Sequence, residues 1–195
     1  MKPGPREEFL REASEQVRPV HAEGTFTVGY GVLYYYLLFE YYDPLGYYDA
    51  VVRNRRLLEE EVAKLQYNLQ SFIDQEEVLV NGQRVRPRVV LVDIAFRGRR
   101  TSPVIIFGVR AAAPFRPGRN VYENRYEPER VEYDYVAYWM FPPGTRIVEV
   151  DMGGEEWEVT ETGVLAIYGR RGRRTGGYEK IVFELPPVVS EALEE

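Results

Sequence analysis

Short alternating segments separated by turn residues fill the second half of the sequence, and they restrict the possible folds more than any other feature. An Asn81-Gly82 pair separates two apolar runs, and this dipeptide is the strongest short-range signal for a β-hairpin. Later runs are separated by further turn sequences: RGRRTS at 97–102, PPG at 142–144 and GRRGRRTGG at 169–177. Residues 131–139 alternate as a half-solvated strand does. From residue 78 onward the sequence therefore predicts antiparallel β-structure.

Residues 24–39 form an uncharged run that is rich in tyrosine. At 16 residues this run is shorter than the ~20 apolar residues that a helix needs to cross a bilayer, so it predicts no membrane span. Its alternation instead predicts one long strand, or two strands broken near Gly29 and Gly31. One face would comprise Phe26, Val28, Tyr30, Val32, Tyr34, Tyr36 and Leu38. From Val32 onward both faces are apolar or aromatic, as in a strand that is covered on both sides or lies at an interface.

The apolar spacing changes to a helical period at about residues 47–74. The stripe consists of Val51, Leu58, Val62, Leu65, Leu69 and Phe72. We therefore predict a mainly-β fold, an antiparallel, sandwich-like sheet domain with one long amphipathic helix laid against it. The alternative is an α+β fold in which a curved antiparallel sheet wraps the helix and encloses a pocket.

The chain divides into three parts by composition. Residues 1–23 form a charged N-terminal segment in which a short helix is one option, residues 24–187 form a single β-rich domain, and residues 188–195 form a tail. The N-terminal segment lacks the apolar core of a signal peptide, which favours a cytoplasmic location. The chain is poor in Asn, Gln and Met, a composition that suggests a thermophilic source.

Several kinds of active site are excluded by composition. The chain contains no cysteine and one histidine, His21, which rules out disulfides, thiolate nucleophiles and histidine clusters. It also contains no phosphate-binding loop, dinucleotide fingerprint or nucleophile elbow. The sequence therefore predicts no cofactor and no metal, and it favours a protein that is not an enzyme.

Two carboxylates interrupt strongly apolar segments, Glu40 in YLLFEYY and Asp93 in VVLVDIAF. A buried carboxylate requires a partner, and Arg110 could neutralise Asp93 in a structural ion pair. Alternatively, Glu40 and Asp93 could act as acid and base in an apolar pocket. The sequence leaves both interpretations open.

Residues 113–130 are predicted to form a long connection that is rich in arginine and tyrosine, and such connections often bind partners. Its candidate binding residues are Arg116, Arg119, Tyr122, Arg125 and Tyr126. Concentrated positive charge occurs in two turns of this acidic chain, whose net charge is −6. The arginines of these two turns are Arg97, Arg99, Arg100, Arg170, Arg171, Arg173 and Arg174. If these turns converged, they would form a patch for nucleic acid or another polyanion.

The sequence favours a non-catalytic binding or assembly module that recognises a protein or a small ligand through tyrosine and arginine. Self-association through the aromatic strand or the helix stripe is expected, because both are richer in apolar residues than one small sheet requires. The alternatives are an enzyme with a small-molecule pocket and buried carboxylates, and a polyanion-binding protein.

Overall fold

The computed structural model describes residues 4–188, which form two β-sheets and three helices. The helices are α1 (Pro5–Gln16), α2 (Tyr47–Val52) and α3 (Arg55–Ile73). The strands are β1 (Arg18–Gly29), β2 (Val32–Tyr42), β3 (Glu77–Val80), β4 (Gln83–Val85), β5 (Arg88–Phe96), β6 (Pro103–Ala112), β7 (Gly118–Arg125), β8 (Tyr135–Met140), β9 (Arg146–Asp151), β10 (Glu156–Val159), β11 (Leu165–Gly169) and β12 (Tyr178–Leu185). The predicted mainly-β fold is confirmed.

The larger sheet, sheet A, has seven strands in the order β10-β11-β8-β1-β2-β6-β5, and the smaller, sheet B, has five in the order β4-β3-β7-β12-β9. Neighbouring strands are antiparallel, apart from β1 and β8, which run parallel. One hydrophobic core joins the two sheets, with Leu33 and Val109 from sheet A and Val80 and Ile181 from sheet B. The inner face of each sheet is the face that contributes to this core.

The uncharged run forms a hairpin of two strands broken at Gly29 and Gly31, the second of the two predicted options. β1 ends at Gly29 and β2 begins at Val32, with Gly31 at φ 76° in the turn. The turn reverses the alternation, because Val28 pairs with Leu33 on the inner face. Tyr34 and Tyr36 therefore lie on the outer face, and the predicted continuous face from Phe26 to Leu38 is wrong. β1 also begins at Arg18, so the predicted domain boundary at residues 23 and 24 falls inside a strand.

The predicted helix at 47–74 is two helices, because Asn54 interrupts it. Asn54 has extended backbone angles, and its side-chain oxygen accepts a hydrogen bond from the Leu57 N–H at 3.1 Å, as an N-cap does. Helix α3 packs beside β5, and its Leu65 and Leu69 contact the core. Within residues 4–188, no helix combines the length and apolar character needed to cross a bilayer.

The Asn81-Gly82 hairpin between β3 and β4 is as predicted. Asn81 and Gly82 have φ values of 52° and 76°, the left-handed pair of a type I′ turn. The Asn81 side chain also holds the hairpin against β7: its amide donates to Asn120 Oδ1 at 3.0 Å, and its oxygen accepts from the Val121 N–H at 2.9 Å.

Strand β7 runs through the middle of the predicted connection at 113–130, so the prediction of a loop there is wrong. Polar side chains at inner positions concealed the alternation. Asn120 faces inward and bonds to the Arg116 and Gly118 carbonyls, while Asn124 faces inward and bonds to Glu76. Tyr122 lies between them and is only 3% exposed.

Candidate functional site

A cavity of about 480 Å³ lies between the inner faces of the two sheets, beside the end of α3. Sheet A supplies residues of β1, β2 and β8, and sheet B supplies residues of β3, β7 and β12. The remaining wall comes from α3 and from the segment that connects β7 to β8. A volume of this size is within the range of small-molecule sites.

Stacked aromatic rings form one wall of the cavity. The Phe26 ring stacks on Tyr35 and on Trp139, each with ring centroids 4.7 Å apart. The Tyr122 ring from sheet B lies 4.6 Å from Trp139, measured between centroids. Because these rings pack against one another across both sheets, the wall is held in place by the core itself.

Glu76 and Glu179 are the carboxylates in the deeper part of this cavity. Glu179 lies on β12 directly opposite Asn124 on β7, and both side chains share the inner face. Burial raises the pKa of Glu179 from its ordinary value of 4.5 to about 8, and the nearby Glu155 and Glu76 carboxylates contribute to this rise. Burial also raises the pKa of Glu76, although the hydrogen bond from Asn124 Nδ2, at 3.0 Å, opposes the rise.

Glu155 lies behind the cavity wall and anchors two of its tyrosines. The hydroxyls of Tyr126 and Tyr135 donate to its two carboxylate oxygens at 3.2 Å and 2.8 Å. Burial, and then the neighbouring carboxylates, raise the pKa of both tyrosines far above the usual value. Both hydroxyls therefore remain protonated donors at neutral pH.

One hydrogen-bond acceptor in this cavity lacks a donor. Asn124 is 7% exposed, and its Oδ1 is buried without a hydrogen-bond partner among residues 4–188. Within residues 4–188, no Lys, Arg or His nitrogen lies within 4.0 Å of a carboxylate oxygen of Glu76, Glu155 or Glu179. In the same part of the chain, no group of three or more His, Cys, Asp or Glu side chains is arranged to hold a metal ion.

Three glycines bring the cavity wall together. The backbones of Gly153 and Gly176 cross so closely that a Cβ atom on Gly176 would lie 2.6 Å from the Gly153 carbonyl carbon. This crossing fixes the turn that carries Glu155 against the segment that leads to Glu179. The Tyr135 ring covers Gly169, its neighbour across the strands, and leaves no room for a Cβ atom there.

The two carboxylates singled out in the sequence lie outside the cavity. Glu40 is on the outer face of sheet A and pairs with Arg97, with a 2.8 Å distance between Oε1 and Nη1. Asp93 is exposed and lies opposite Ile106, whereas Arg110 lies opposite Tyr34. The expectation that these carboxylates are buried is wrong, because each occupies a position that faces away from the core.

The two basic turns lie far apart. They leave β5 and β11, which are five strand spacings from each other in sheet A, a separation of about 24 Å at ~4.8 Å per strand. Several of their arginines also have acidic partners: Arg97 contacts Glu40, Arg100 contacts Asp49, and both Arg170 and Arg173 contact Glu156. The two turns therefore do not form the single positively charged patch that polyanion binding would use.

The predicted arginine and tyrosine residues separate into two groups. Tyr122 and Tyr126 line the cavity. Arg116, Arg119 and Arg125 are exposed, and Arg125 pairs with Glu77 at 3.1 Å and Glu123 at 3.2 Å. Partner contact by these three arginines stays a prediction.

Comparisons with known proteins do not place the chain in a family. No protein-family model matches the sequence, and no curated protein matches it. Among solved structures, the chain is similar to one described as a "putative protease" from Parabacteroides distasonis, with a TM-score of 0.34 and 8% sequence identity. The similarity covers 88% of this chain but only 41% of that one. A likeness this weak carries no argument about function.

Sequence reasoning missed Glu76, Glu179 and Asn124. For Glu179 a signal was available, because it shares the alternation of Ile181 and Phe183, both of which are fully buried. A glutamate in phase with core residues is a better indication of a cavity than one that merely interrupts an apolar run.

Proposed function

We propose that this protein is a non-catalytic binding module that holds a small molecule in the cavity between its sheets. The observation that carries the proposal is the cavity itself, which combines stacked aromatic walls with a few inward polar groups, the usual composition of a small-molecule site. The unpaired Asn124 Oδ1 supports it, because a buried acceptor without a donor costs free energy that a bound ligand could recover.

The proposal predicts uptake of a neutral, polarity-sensitive dye such as prodan, with a blue-shifted emission. Leu37→Trp places an indole inside the cavity and is expected to weaken dye binding at least tenfold. Tyr36→Trp, at the preceding position of β2, is the matched control, because Tyr36 is 55% exposed on the outer face. Fluorescence titration measures both, and circular dichroism confirms that both variants fold.

A second pair of variants tests the same cavity in case Leu37→Trp does not fold. Leu69→Trp approaches the cavity from α3, and Tyr67→Trp changes a residue of the same helix that is 72% exposed. Dye binding that is equal in all four folded variants would refute the cavity as the site. Turnover of a bound compound that disappears in Glu179→Gln would instead support the alternative of a carboxylate enzyme.

Self-association is a second candidate role, supported by the outer face of sheet A. Tyr34, Tyr36, Leu91 and Met140 are all exposed there, and Tyr36 and Leu91 flank Gly108. If this face pairs two copies, Tyr36→Glu should raise the dimer Kd at least tenfold. Light scattering over a concentration series measures this, with Tyr67→Glu on α3 as the control. A wild-type protein that stays monomeric at the highest concentration would contradict the proposal.

A further inference from the structure

Three hydrogen-bond acceptors face one region of the cavity. Glu179 and Asn124 are register partners on adjacent strands, a relation that places side chains about 5 Å apart on the same face. Glu76 comes from the turn between α3 and β3, and its carboxylate accepts a hydrogen bond from Asn124 Nδ2, at the other end of the same amide. This bond fixes the orientation of the amide and leaves Oδ1 without a partner.

Glu76, Glu155 and Glu179 have no Lys, Arg or His side chain as an ion-pair partner among the described residues. Burial raises the pKa of both Glu76 and Glu179, and the neighbouring Glu155 and Glu76 carboxylates add to the rise for Glu179. A cation bound among them would remove both penalties, whereas an anion would increase them. The cavity therefore favours positively charged ligands over negatively charged ones.

Aromatic rings surround the same acceptors. Tyr35 and Tyr122 line the same cavity as Glu76 and Glu179. Aromatic faces attract cations, and they attract them most strongly where water is excluded. Rings next to carboxylates are thus suited to an ammonium head group attached to an apolar body.

We infer that the ligand of this cavity is a protonated primary or secondary amine on an apolar body, an inference that rests on the proposed function. The carboxylates of Glu76 and Glu179 supply the charge, and Asn124 Oδ1 can accept a hydrogen bond from the N–H of the amine. A quaternary ammonium could satisfy the charge but not this oxygen. The aromatic and aliphatic walls then contact the body of the amine.

Isothermal titration calorimetry at about pH 8.5, where Glu179 is largely ionised, tests this with four probes. They are 2-phenylethylammonium, its N,N,N-trimethyl derivative, neutral 2-phenylethanol and anionic 3-phenylpropanoate. The primary ammonium is expected to bind at least tenfold more tightly than the alcohol and at least threefold more tightly than the trimethyl compound. The anion is expected to bind most weakly.

Glu179→Gln is expected to reduce ammonium affinity at least fivefold. The control is Glu184→Gln on the same strand, because Glu184 lies on the outer face and pairs with Arg146 at 2.7 Å. Equal binding of the ammonium and the alcohol would overturn the inference and leave the proposed function standing. Failure of all four probes and of prodan would overturn both.

Discussion

Gly176→Ala should lower the melting temperature by about 6–20 °C, a large effect for the addition of a single methyl group. The added Cβ atom would lie 2.5 Å from Gly153 Cα, a distance that real Cβ atoms do not show. Backbone must move to relieve this overlap, and no flexible side chain is available to yield instead. We expect a loss of about 3–5 kcal/mol in the free energy of unfolding. At ~2–4 °C per kcal/mol for a chain of this size, that loss lowers the melting temperature by about 6–20 °C.

Gly172→Ala is the control for this experiment. Gly172 belongs to the preceding turn and has φ 88°, but a Cβ atom there would meet nothing within 4 Å. Its substitution therefore costs only the strain of holding an alanine at a left-handed φ angle, about 1–2 kcal/mol. Calorimetric melting of both variants separates the two causes. Equal melting temperatures would show that the crossing of Gly153 and Gly176 is not rigid.

Glu179→Gln should stabilise the protein at high pH and have little effect at low pH. The pKa of Glu179 is about 8 in the folded protein, against an ordinary value of 4.5. The folded state therefore binds this proton more tightly, so folding is most favourable below pH 4.5 and weakens as the pH rises towards 8. At ~1.4 kcal/mol per pKa unit, the cost above pH 8 amounts to up to about 5 kcal/mol.

Melting temperatures across the pH range test this expectation. The variant and the wild type should agree within ~3 °C at about pH 5, and the variant should melt roughly 10–20 °C higher at about pH 9. Glu184→Gln should show no such widening, because that carboxylate is on the outer face. Parallel curves for Glu179→Gln and the wild type would contradict the raised pKa.

The sequence was informative where side-chain alternation and turn chemistry agreed. Asn81-Gly82 specified its hairpin because only a few residue types adopt the left-handed conformation that a type I′ turn requires. The mainly-β architecture followed from many such turns. The split between α2 and α3 was less visible, because Asn54 acts through a single side-chain bond to Leu57.

The site could not be predicted because it depends on which face each strand turns inward. The alternation in the uncharged run was real, but the hairpin at Gly31 reversed it, so tyrosines were assigned to the wrong face. In β7 the inner positions hold Asn120 and Asn124, whose partners come from distant segments. Inner-facing amides make a strand look like a loop until those partners are known.

The parallel pairing of β1 with β8 has a consequence for synthesis on the ribosome. β2 can pair with β1 as soon as it emerges, but the other edge of β1 waits for residues 135–140. About 110 residues separate Gly29 from Met140, which corresponds to roughly 5–20 s of translation at ~5–20 residues per second. During that interval a long edge is open to pairing with other chains. For β1 this exposure is confined to synthesis, because both of its edges are paired in the finished fold.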